Sequence, residues 1–141
     1  MKKSVIFLLL IVVSYSCSTS KISTSSNKLY NILLTKNYGG AAFQFYEVLT
    51  EPNEFKMLLN DKELKSKLNK SDIETSNFIL VNLGAKQLEG YTIEVENIEE
   101  FSDKIVIDIK EIEPKTKGEN TTTNPYAVVK INSKKTIEIK E

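Results

Sequence analysis

From residue 29 onward the chain alternates apolar and polar positions, the mark of half-buried strands. Residues 29–35 (LYNILLT) predict a first strand. Tyr38-Gly39-Gly40 is a turn signal. Residues 42–49 follow, with Phe43, Phe45 and Leu49 on one parity and Tyr46 and Val48 on the other. The period then changes at Thr50-Glu51-Pro52-Asn53. Thr50 is the expected cap, and Pro52 suits a first helical turn. Phe55, Leu58 and Leu59 recur at helical spacing and predict an amphipathic helix over 52–60. Leu64 and Leu68 predict a second one over 61–68.

Residues 78–83 (FILVNL) are mostly apolar, so a central strand buried on both faces is expected. Gly84 to Gly90 (GAKQLEG) is a loop bounded by glycines. Tyr91, Ile93 and Val95 alternate with Thr92, Glu94 and Glu96, and a turn is expected within 98–103. Residues 104–112 alternate again, with Ile105, Ile107 and Ile109 on the inner face. A long polar loop, 113–124, contains Pro114 and Gly118. Residues 125–131 (PYAVVKI) and 136–140 predict the last two strands, and Lys134, Lys135 and Lys140 discourage pairing at that edge. The fold class is β-rich α+β: a largely antiparallel sheet or small sandwich with one or two short helices packed on it.

If the last five strands run up and down in sequence, the 84–90 and 113–124 loops lie at one end and the tight turns at the other. Two irregular loops on a stiff sheet suit a binding surface, although long polar loops are also tolerated insertions.

The first residues read as an address. Lys2 and Lys3 precede an unbroken apolar run, Val5 to Val13 (VIFLLLIVV), too short for a hydrocarbon core that needs about 20 residues. Ser14, Tyr15 and Ser16 lead to Cys17, the one cysteine of the chain. The expectation is a signal peptide over 1–16, cleaved before a lipidated Cys17, because this arrangement resembles the lipobox of bacterial lipoproteins; Ser14 and Tyr15 depart from its usual residues. The alternative is an ordinary export signal that leaves a free thiol. Residues 18–28 (STSKISTSSNK) then read as a flexible tether, and 29–141 as a single globular domain. Loss of Lys2 and Lys3 leaves 17 basic against 19 acidic residues, a net charge of −2 that offers no polybasic membrane contact. The acyl chains would do the anchoring, at a bacterial membrane of the cell envelope, the outer membrane being favoured.

Composition removes most chemistries. There is no His, no Arg and no Trp. Without His the usual nucleophile–base triads are excluded, and one Cys excludes an intrachain disulfide and multi-cysteine zinc sites. A neutral chain without Arg is a poor nucleic-acid binder. Glu94 and Glu96 share a strand face and could do acid–base work or bind Ca²⁺, but alternate positions on an amphipathic strand are where solvated charges belong. Asn69, Ser71, Asp72 and Glu74 make a weak calcium-loop pattern without its glycine. No catalytic residue, metal, cofactor or small-molecule substrate is expected.

Three pieces of the sequence carry a family resemblance: residues 78–84, leading to Gly90-Tyr91-Thr92-Ile93; the alternating strand that ends at Pro114; and Thr123-Asn124-Pro125-Tyr126-Ala127-Val128-Val129-Lys130-Ile131. Over 72–141 the chain resembles the C-terminal domain of the protease complex subunit PrcB family. Glu89 stands where that family has a second glycine, and Asp72-Ile73 replaces an Asp-Phe. The resemblance implies a non-catalytic envelope protein that binds or stabilises a partner, possibly a protease complex. Gly84, Gly90, Tyr91, Pro125 and Tyr126 are the expected partner-binding residues; for the two tyrosines, a role as core residues at strand ends is the alternative. A competing function is a loop-based protease inhibitor of the β-sandwich type, since such inhibitors also use a Gly-Tyr loop and an aromatic loop at one end.

Overall fold

The computed structural model describes residues 21–22, 29–115 and 121–140. The expected signal peptide, Cys17 and most of the tether lie outside the described residues. Within the tether, Lys21–Ile22 form a short strand, β1, paired with the chain at Phe101 and Glu100, so this point of the tether is docked.

Among the described residues two four-stranded sheets make a sandwich. One has the order β1-β5-β6-β8, with β5 at Thr92–Phe101, β6 at Lys104–Ile112 and β8 at Thr136–Lys140. The other has the order β2-β7-β4-β3, with β2 at Tyr30–Lys36, β3 at Gln44–Leu49, β4 at Asn77–Leu83 and β7 at Tyr126–Ile131. Among the described residues all pairings are antiparallel except β6 with β8, which is parallel. The strands keep the expected alternation of direction but are divided between two sheets. The sequence expectation of neighbours laid side by side fails because β7 returns to sit between β2 and β4.

Ile79, Val81, Ile105, Ile107, Val129 and Ile131 fill the space between the sheets. The other face of the second sheet is covered by helix α1, Pro52–Asn60, and the chain that follows it. Phe55, Leu58, Leu64 and Leu68 pack there on Phe78 and Val128. β4 is therefore buried on both faces, and its apolar run follows directly from that position.

Helix α1 has the expected bounds, but its cap is Glu51. The Glu54 carboxylate accepts the N–H groups of both Thr50 and Glu51 at 3.2 Å, satisfying donors that the first turn leaves free. The expected helix over 61–68 is a series of turns. The Asp61 carboxylate accepts the N–H of Glu63 and Leu64, a local bond that competes with helix while Leu64 and Leu68 still reach the core. A four-residue helix, α2, follows at Asp72–Thr75. The expected turn at 98–103 shrinks to Ser102 and Asp103, because a bulge between Val95 and Asn97 resets the alternation and carries the strand on through Ile98.

Candidate functional site

The 84–90 loop and the described parts of the expected 113–124 loop, 113–115 and 121–124, meet at one end of the sandwich, and a third segment, residues 37–43, joins them; residues 116–120 of that loop lie outside the described residues. Asn82, the polar residue inside the apolar β4 run, fixes that third segment. Its side chain is 1 % exposed. Ala41 N–H donates to its Oδ1 at 2.8 Å, and its Nδ2 donates to the carbonyls of Ala41 and Phe43 at 3.0 and 2.5 Å. Asn124 holds the same segment from the other side. It donates from its backbone to Asn37 and from its side chain to Gly40, and accepts the Gly40 N–H at 2.9 Å. Gly40 has no room for a side chain, since a Cβ would lie 2.2 Å from Asn82 Oδ1.

The 84–90 loop is bound as firmly. Lys86 and Thr123 exchange both backbone hydrogen bonds, at 2.8 and 2.9 Å. The Thr123 hydroxyl, buried, donates to the Leu88 carbonyl at 2.9 Å. Gly90 donates to Asn37 Oδ1 at 3.1 Å, and the Tyr38 hydroxyl donates to the Glu89 carboxylate. Gly84 and Gly90 both adopt positive φ, 76° and 94°, which explains the two glycines bounding the loop. Lys86 pairs with Glu111 at 2.7 Å and sits 5.1 Å from the ring centre of Tyr91.

The five residues singled out in the sequence are thus gathered at one end, but their side chains do not form one patch. Gly84 and Pro125 are buried. The Pro125 carbonyl accepts the Leu83 N–H and continues the sheet. Tyr91 packs half-buried on the core between the sheets, whereas Tyr126 packs on the helix-side core. Burial foremost, with the Asp61 and Glu63 carboxylates acting against Lys36, raises the Tyr126 phenol above its ordinary 10.0, so it stays protonated at neutral pH. The aromatic groups presented to solvent are instead Tyr38 and Phe43, 52 % and 68 % exposed. Tyr38 lies in the turn signal read from the sequence, whereas Phe43 falls in the strand expected over 42–49, which begins only at Gln44. The signal available for the segment was Asn82, because a polar side chain in a fully buried strand must find partners.

Elsewhere, Glu96 meets Lys110 at 3.3 Å across the strands, and Asp72 accepts the Asn69 N–H and pairs with Lys130 at 3.0 Å. Among the described residues no three His, Cys, Asp or Glu side chains could together hold an ion.

No curated protein and no solved structure matches the chain. The stretch that supplies β4, β5, β6 and β7, residues 77–132, matches the family model described as PrcB C-terminal.

Proposed function

We propose that the protein is a lipid-anchored, non-catalytic component of the bacterial cell envelope that binds and stabilises a protein partner. The partner class the PrcB C-terminal match favours is a protease complex. The observation that carries the reading is the end of the sandwich where three segments are bonded into one platform that exposes Tyr38 and Phe43. A rigid platform with exposed aromatic groups loses little entropy on contact and supplies apolar area, as recognition surfaces do. The membrane attachment rests on the apolar run and Cys17. β1 meets β5 beside Phe101, next to the Ser102-Asp103 turn, whereas the platform lies at the other end of the β5–β6 pair. An anchor on Cys17 would therefore leave the platform facing away from the bilayer. Crosslinking in intact envelopes, followed by mass spectrometry of the mature N-terminus, tests both halves. The expected result is acylated Cys17 and one defined partner; a bare Cys17 within an uncut chain and no partner would overturn the reading.

The same platform supports a second reading, a protease inhibitor acting through its loops. Inhibition of purified papain-like proteases separates the two, because a stabilising subunit leaves those enzymes active.

A further inference from the structure

Helix α1 and the chain that returns beside it leave a groove of about 770 Å³ between them. Phe55 and Leu68, buried, and Leu59 and Ile73, half-buried, make an apolar floor continuous with the helix-side core. Lys56 on α1, and Lys65 and Lys70 on the returning chain, line the groove, and no carboxylate does. All three lysines are exposed, and none makes an ion pair among the described residues.

The carboxylates nearby are engaged elsewhere. Glu51 and Glu54 close the capping box of α1, and Asp61 accepts two backbone N–H groups. Glu63 pairs with Lys36 at 2.6 Å and Asp72 with Lys130 at 3.0 Å. Glu74 is exposed and does not line the groove. The positive charge is spread along the groove rather than gathered at one point. The Lys65 N–H bonds the Asp61 carbonyl at the end of α1, whereas Lys70 follows Asn69, whose N–H bonds the Asp72 carboxylate beside Ile73. The walls are also poor in free main-chain groups: the bonds of α1 close within the helix, and the N–H groups of Lys65, Lys67 and Asn69 are taken.

We propose that this groove receives an acidic amphipathic helix of the protein partner, with its apolar stripe on the floor and its Asp or Glu residues toward Lys56, Lys65 and Lys70. This rests on the partner-binding reading above and names what the partner offers. A helix satisfies its own backbone, which walls poor in main-chain partners require. Carboxylates two turns apart on a helix, about 11 Å, serve lysines at both ends of the groove, which a single anionic headgroup does not. Nor does α1 of a second copy fit: its exposed residues Asn53, Lys56, Met57 and Asn60 bring no acid and would set lysine against lysine.

The test pans the full-length chain against a displayed library of short helices randomised along one face and follows the enriched helices by amide exchange. The expected helices set Asp or Glu beside an apolar stripe, bind less tightly as salt rises, and slow exchange over 55–59 and 65–70. Lys56→Glu and Lys70→Glu together are expected to weaken them about tenfold, two exposed ion pairs turned to repulsion. Lys62→Glu, exposed on the same run but outside the lining, should leave binding unchanged. The proposal is overturned if nothing is enriched, if the enriched helices carry no acid, if protection falls only on 38–43 and 85–91, or if Lys62→Glu weakens binding as much as the double variant. It is also overturned if vesicles of phosphatidylglycerol, and no helix, protect these residues. Failure of the partner-binding reading shows separately: crosslinked envelopes then yield no partner, whereas a partner crosslinked to the platform alone removes only the groove.

Discussion

Asn82 and Gly40 illustrate how single residues set the platform. Asn82→Leu keeps β4 apolar but strands the Ala41 N–H and the carbonyls of Ala41 and Phe43. The expected cost is about 1–3 kcal/mol, seen in urea unfolding, with faster amide exchange over 41–43. Gly40→Ala should give a comparable loss, because its methyl group meets Asn82 Oδ1 and the Asn124 carbonyl. Asp72 gives a pH signature. Burial pushes its carboxyl up, but the Asn69 N–H and the Lys130 ammonium outweigh burial and hold it below 3.8. The unfolded chain thus takes up this proton first as the pH falls. The stabilisation is complete above 3.8 and is lost as the pH drops through the lower folded value. Asp72→Asn should cost about 1–2 kcal/mol at neutral pH and nothing in strong acid, compared by urea titration. At this scale the bounding glycines were legible in the sequence, since a positive φ leaves its mark in residue type. The partners of Asn82 were not, because its bonds reach a segment far away in the chain.

Helix α1 is the element whose fate was clearest from sequence. Pro52 opens it, and Phe55 and Leu58 face the sheet, with the Phe55 ring 4.9 Å from that of Phe78. Phe55→Ala should cost about 3–5 kcal/mol, read as a lower urea midpoint. The chain after the helix was misread for a physical reason: Leu64 and Leu68 keep helical spacing, but Asp61 diverts the backbone into turns before a helix can propagate. β5 was cut short for a different reason. Its bulge changes the phase of the alternation, so Ile98 looks out of step in sequence although it is buried with Ile93 and Val95.

For the molecule as a whole, the β-rich α+β sandwich was legible from periodicity, but the division into two sheets was not, because nothing local says which strands pair. The family match falls on β4 to β7, which are the inner strands of both sheets; β1, β2, β3 and β8 are the outer ones. The shared part is thus the centre of the sandwich, and β3 and β8 belong to its periphery. An edge strand joined only on one side should open before the core does. Native-state amide exchange is therefore expected to release β8 at lower free energy than β4 and β7, and equal protection of all three would contradict this layering.

Among the described residues β2 bonds to no strand but β7, which lies far along the chain. A polypeptide emerging amino-terminus first therefore carries β2 without its hydrogen-bonding mate until that segment has been made. Zipping must wait for residues 126–131, a distant rendezvous whose loop-closure cost slows folding.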